Sequence, residues 1–221
     1  MASDAPLHDR FFRSVFSRPE AARDLVREYL PEDVVACLAT ESLEVTADSL
    51  VDDELKAHLS DVVYRVRLAG GGDAWVYVLV EHKSGPDRWV ALQLLRYVTA
   101  LWTRHLREGG GKPLPVVIPL VIYHGRRRWS VPAELAELVQ PPQALAPYVP
   151  RFRHVLVDLT RLADDEIRGR AATRAAFRAM LHIFDPDLPG RVPSIVRELA
   201  TVEDPRRAGR AGVCAGGLSL G

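Results

Sequence analysis

Three consecutive glycines, Gly70–Gly72, interrupt a run of β-branched and aromatic residues between Asp61 and Lys83. Little other than a tight β-hairpin accommodates such a pattern, because glycine adopts the positive φ angles of a hairpin turn at no steric cost. Alternation along the second strand sends Trp75, Tyr77, Leu79, Glu81 and Lys83 one way and Val76, Val78, Val80 and His82 the other. A turn centred on Gly71 pairs residues whose numbers sum to 142, namely Leu68 with Ala74, Val66 with Val76 and Tyr64 with Val78. That register sets Asp61 directly across from Glu81. A slip of one residue would put His82 there instead.

Directly opposed carboxylates stand about 5 Å apart at Cβ, and Lys83 follows roughly 6 to 7 Å along the strand. Two hard carboxylate oxygens suit Mg²⁺ or Mn²⁺. A cation held by Asp61 and Glu81 would activate a water for in-line attack on a phosphodiester, and Lys83 would aid that water or neutralise charge developing on the phosphate. The bland alternative is a solvated charge pair at a strand end, which contributes little. Against it, only Lys56, Lys83 and Lys112 are lysines among 29 basic residues. A generic basic position in this chain is arginine, whereas lysine can share a proton beside a nucleophile.

The charges are divided along the chain although the net charge is zero. Residues 1–61 carry 6 basic and 14 acidic side chains, whereas residues 83–129 carry 9 basic and 2 acidic. Phosphate would be drawn to the second stretch, although a pair of ordinary solvated faces explains the same counts. Cys37 and Cys214 stand in no Cys/His pattern, so neither a disulfide scaffold nor a zinc site is expected. With no apolar leader and no apolar run longer than Leu114–Tyr123, the reading is a cytoplasmic protein that does not enter a membrane.

Apolar periodicity predicts helices from His8 to Leu38, broken near Pro19 and Pro31, and a short strand at Leu43–Thr46 within an acidic segment. A long helix should run from an Asp87 N-cap to Glu108, burying Ala91, Leu94, Leu95, Val98, Leu101 and Trp102. Val116–Tyr123 reads as a strand covered on both faces, with Pro119 suggesting a bulge or an edge. Phe152–Leu159 is a further strand and Arg161–Phe184 a further helix. Residues 1–204 form one domain in this reading, and the Arg-, Gly- and Ala-rich residues 205–221 a disordered tail.

On the long helix Gln93, Arg96 and Tyr97 share a face at i, i+3 and i+4, aimed toward the hairpin's end. Gln93 is a candidate to orient a water or a phosphate, although an ordinary exposed glutamine explains it equally. Arg126, Arg127 and Arg128 could grip phosphate while Trp129 stacks on a base, although a basic surface turn with one anchoring aromatic explains the same residues. Asp9 and Glu28 are set aside as solvated helix carboxylates, and His82 and His124 as structural.

Taken in order, His8-Asp9-Arg10-Phe11-Phe12, Pro19–Leu25, Ser60-Asp61, Tyr64-Arg65-Val66, Val80-Glu81-His82-Lys83-Ser84, Leu95-Arg96-Tyr97 and Pro119–Gly125 resemble the recombination-promoting nuclease and transposase-like family, a branch of the PD-(D/E)XK superfamily. The resemblance implies an α/β fold of restriction-endonuclease type, a mixed sheet flanked by helices. It implies a metal-dependent DNA endonuclease with Asp61 as metal-binding aspartate, Glu81 as second acidic ligand, Lys83 as the superfamily lysine and Gln93 where related nucleases place a polar residue. Arg96 and Arg126–Arg128 would then contact DNA. A homodimer is compatible with this reading. Ser60 replaces the superfamily proline, and the tail departs from the longer C-terminal part of family members. The rival is a catalytically silent module that keeps the fold to bind DNA or protein; a small-molecule enzyme is disfavoured by the lack of a glycine-rich phosphate loop or nucleophile elbow.

Overall fold

The computed structural model describes residues 7–46, 62–81 and 85–203. Three helices, α1 (Leu7–Phe16), α2 (Pro19–Tyr29) and α3 (Glu32–Ala36), lead into β1 (Leu38–Val45), β2 (Val62–Leu68) and β3 (Asp73–Glu81). Helix α4 (Val90–Arg107) crosses over to β4 (Val116–Tyr123); a short α5 (Ala136–Val139) precedes β5 (Val155–Asp158), and α6 (Ala171–Leu181) and α7 (Leu188–Glu203) follow. The five strands lie in chain order. Strands β1, β2 and β3 pair antiparallel, and β4 and β5 add in parallel. The expected mixed sheet with helices on both faces is therefore present.

Alternation divides the sheet's side chains between two cores. Val62, Tyr64, Val66, Ala74, Val76, Leu120 and Ile122 join Phe12, Phe16, Ala22, Leu25 and Val26 of α1 and α2. On the other face Val63, Trp75, Val121 and Tyr123 meet Val90, Leu94, Tyr97 and Leu101 of α4. Helix α6 completes the first layer: the Phe177 ring lies 5.5 Å from Phe16 and 4.8 Å from Tyr29. The turn before α6 is tied down as well, because Asp24 accepts from the Arg170 N–H at 2.6 Å and the Tyr29 hydroxyl donates to the Arg168 carbonyl at 3.0 Å. Burying a side chain of Phe177's size is worth about 1.5–3 kcal/mol. Burial also pushes the Tyr29 phenol up to about 12.

The hairpin is present, but its register differs from the expected one by two residues. Tyr64 pairs with Val76, Val66 with Ala74 and Val62 with Val78, a sum of 140. The turn explains the difference. The Gly71 N–H donates to the Leu68 carbonyl at 3.0 Å and the Leu68 N–H to the Gly72 carbonyl at 2.9 Å, so Ala69–Gly71 is a three-residue loop centred on Gly70. Positive φ at both Gly71 and Gly72, 94° each, closes it on the C-terminal side. A shift of two keeps every side chain on its expected face, whereas a shift of one would not.

Other boundaries moved for local reasons. Strand β1 starts at Leu38, where a helix was expected, and a bulge between Ala39 and Glu44 breaks the alternation that would have revealed it. Asp87 makes an Asx-type turn to the Trp89 N–H at 2.9 Å instead of capping α4 directly. Tyr97 is buried in that helix's apolar stripe, while Leu95 and Trp102 are half-buried. Helix α6 begins ten residues later than expected, after single 3₁₀ turns at Leu159–Arg161 and Asp164–Glu166 and a positive φ at Gly169. Pro119 sits just before the β4–β5 ladder opens at Leu120, a locally edge-like position. Helix α7 was not expected from the sequence; Pro193 lies inside it, and Glu198 ties it to Arg174 at 2.6 Å and Arg178 at 3.0 Å.

Candidate functional site

Glu81 is the last residue of β3, and the parallel ladders set it level with Tyr123 at the end of β4 and Asp158 at the end of β5. Carboxyl ends of parallel strands are where open α/β sheets present their ligand-binding groups. Asp61 and Lys83 lie outside the described residues, and Glu81 is described by its backbone. The expected direct opposition of positions 61 and 81 does not follow from the observed register, whose pairing ends at Val62–Val78. Among the described residues no group of three His, Cys, Asp or Glu side chains could hold a metal ion.

The segment after β4 is held from several sides. Tyr123 donates its hydroxyl to the Arg127 carbonyl at 2.7 Å, and its ring meets Trp129 edge-on at 5.1 Å. The Trp129 N–H donates to Asp158 at 3.3 Å and its indole N–H to the Val131 carbonyl at 2.7 Å. Asp158 also accepts from the backbone and hydroxyl of Thr160, at 3.1 and 2.6 Å, and pairs with Arg161 at 3.1 Å. The consequence is a rigid turn with Arg126, Arg127 and Arg128 exposed at its tip. Arg126 lies over the Phe184 ring at 5.0 Å, and His124 stacks on the same ring at 6.2 Å. Arg127 brings the turn next to the chain leaving β3: its Cδ is 3.8 Å from where a Cβ on Gly85 would stand.

Trp129 is 6% exposed and belongs to the α4-side core, so it anchors the turn and is not available to stack on a base. Of the two explanations for that segment, the anchoring one holds for Trp129, and the burial of its ring leaves the role of the three arginines open. On α4 the three candidates separate: Tyr97 is buried, Gln93 half-buried and Arg96 exposed, so only the last two face outward from the core. Sequence reasoning missed Tyr123 and Asp158 as supports. The signal for Asp158 was present in Asp158-Leu159-Thr160, an Asx-turn pattern at the end of an apolar strand.

His154 also supports this region. It precedes β5, is 2% exposed and meets the Trp129 ring edge-on at 6.2 Å. Neither ring nitrogen has a hydrogen-bond partner among the described residues. Desolvation lowers its pKa to about 4, so the neutral imidazole is the native form.

A family model described as "Putative transposase, YhgA-like" matches residues 6–208. Among curated proteins, the chain is 36% identical to the recombination-promoting nuclease RpnD of Escherichia coli over 197 residues, covering 88% of this chain and 74% of that protein. It is 32% identical to the recombination-promoting nuclease RpnA of the same species, covering 84% of this chain and 63% of that one. It is also 33% identical to the inactive recombination-promoting nuclease-like protein RpnE, also from Escherichia coli, covering 85% of this chain. The chain spans 62% of RpnE's length. No solved structure gave a significant match. No helix among the described residues is long and apolar enough to cross a membrane.

Proposed function

Because this chain belongs to the YhgA-like transposase family, we propose that it is a metal-dependent DNA endonuclease of PD-(D/E)XK type that hydrolyses phosphodiester bonds in recombination or transposon-like DNA transactions. The observation that carries the reading is the place of Glu81. It ends a strand level with two others at the carboxyl edge of the sheet, beside a braced turn of three exposed arginines.

The donor set, the carboxylates of Asp61 and Glu81, is of the hard-oxygen kind that Mg²⁺ or Mn²⁺ prefers. A bound cation supplies Lewis-acid polarisation of the phosphate and lowers the pKa of a coordinated water. Lys83 contributes positive charge where the phosphate accumulates negative charge. Gln93 orients a water or phosphate oxygen. Arg96 and Arg126–Arg128 bind backbone phosphates, which fixes the strand's position without reading its sequence. Purified protein should relax or linearise plasmid DNA in the presence of Mg²⁺ and not without it, and an Asp61→Ala variant should do neither. Wild-type protein that leaves every DNA form intact would remove the enzymatic reading.

A second reading, a silent module that binds DNA without cutting it, draws on RpnE, an inactive relative by name. The retention of Asp61, Glu81 and Lys83 in this chain favours the active form.

Binding through the arginine turn has its own signature. Replacing Arg126, Arg127 and Arg128 together by glutamine should weaken DNA affinity about equally for all sequences and reduce the slope of log affinity against log salt by roughly 2 to 3, close to one per lost phosphate contact. Their exposure means that the fold should tolerate the change. An unchanged slope would make the cluster an ordinary solvated turn.

A further inference from the structure

Of the four tryptophans, Trp75 and Trp129 are buried and Trp102 is half-buried with its indole N–H donated to the Pro115 carbonyl at 2.9 Å. Trp89 is used differently. It is 50% exposed, immediately ahead of α4, and its backbone is fixed by Asp87, which accepts from the Trp89 N–H at 2.9 Å and, through its carbonyl, from Val90 at 3.1 Å. The Arg88 guanidinium covers one side of the indole, 4.6 Å from its centroid. Half of the residue remains open to solvent with that cover in place.

Apart from the Asp87 carboxylate held at its backbone, the surroundings of the open indole are apolar and cationic. Leu92, one turn further along α4, is 46% exposed, and Arg96 follows on the same side at the next turn. Helix α4 contains no acidic residue from Val90 to Arg107. Gly85, against which Arg127 packs, is four residues before Trp89, so the Trp89 backbone lies within about 14 Å of a residue that touches the arginine turn. A flat apolar surface between guanidinium groups complements a base attached to phosphates: the base has a face to stack and its backbone has charge to neutralise.

We propose that Trp89 is a stacking platform for an unpaired base of single-stranded DNA, with Arg88 behind the indole and Arg96 and Arg127 taking the neighbouring phosphates. The proposal rests on the nuclease reading and adds a substrate form to it. A duplex keeps its bases stacked on each other and offers Trp89 no free face, so the platform selects strands that are already open.

The test measures anisotropy of labelled oligonucleotides without divalent cations, so that no cleavage intervenes. Three probes are compared on wild-type, Trp89→Ala and Trp89→Phe proteins: a single strand, a strand of the same length built from abasic nucleotides, and a duplex. Trp89→Ala should weaken the single strand by about 5- to 150-fold, the loss typical of one base–aromatic stack, while Trp89→Phe stays within a few-fold of wild type. The abasic strand and the duplex should bind wild type and Trp89→Ala alike. Unchanged single-strand affinity in Trp89→Ala overturns the platform, as does an equal loss on the abasic strand. If wild type nevertheless cuts plasmid DNA, the nuclease reading survives that failure. Absence of wild-type binding to all three probes, together with absence of cleavage, overturns both.

Discussion

Lys83→Ala is expected to slow metal-dependent cleavage of plasmid DNA by about two orders of magnitude or more while leaving cation binding intact or slightly tighter. The expectation follows from dividing the labour between carboxylate and ammonium. Asp61 and Glu81 are assigned to the cation, so Asp61→Ala and Glu81→Ala should abolish both its binding and cleavage, since hard cations need those oxygens. Lys83 is assigned to charge developing during the reaction, and one such group typically supplies 10²- to 10³-fold. Lys83→Arg should recover little, because a planar guanidinium that never gives up its proton cannot take the place of an ammonium. Initial rates on supercoiled plasmid, set beside calorimetric titration with Mn²⁺, read the two effects separately. A Lys83→Ala enzyme as fast as wild type would cancel its role. Equal activity in every variant would trace the cleavage to a contaminant.

The second large effect concerns acid stability and His154. Its native pKa of about 4 lies below the 6.5 of an exposed imidazole. Between those values the unfolded chain binds a proton that the native chain refuses, so stability falls as pH falls. The contribution is fully present above pH 6.5, and roughly 3 kcal/mol is lost by pH 4. Urea unfolding at pH 7 and at pH 4 should show that loss in wild type, and a His154→Leu variant should lose about 3 kcal/mol less over the same interval. Leucine leaves no buried nitrogen without a partner, so the variant should remain folded at neutral pH. Parallel acid losses in the two proteins would show that His154 is not the titrating group. Because the ring packs on Trp129, the acid-weakened region is the support of the arginine turn.

The hairpin was legible because three glycines between two alternating runs leave a chain few other ways to fold. Its register was not. Gly70–Gly72 allow turns centred on either Gly70 or Gly71, and the choice is made by φ at Gly71 and Gly72, for which the sequence offers equal freedom. Strand β4 and the buried stripe of α4 could be read from apolar spacing alone, down to Ala91, Leu94, Val98 and Leu101. Strand β1 could not, since its bulge breaks the period of two. Helix α7 was hidden by Gly190 and Pro193, residues that ordinarily argue against a helix. The proposed site shows the same division. Exposure of Arg126–Arg128 follows from their charge, but the burial of Trp129 beneath them depends on Tyr123 at the end of β4 meeting His154 and Asp158, which flank and end β5, and no local pattern announces that meeting.

The seating of α6 against α1 and α2 bears on how the molecule is made. The rings of Phe16 and Tyr29 wait for Phe177, and Asp24 waits for Arg170, partners that the ribosome delivers some 150 residues later. At the usual elongation rate of about 5–20 residues per second, the opening helices spend roughly ten to thirty seconds without their cover. During that interval an apolar surface of phenylalanine and leucine is open to chaperones and to other nascent chains. A chain that stops between Asp158 and Ala171 therefore carries all five strands but lacks the helix that covers α1 and α2, a species suited to aggregation or proteolysis.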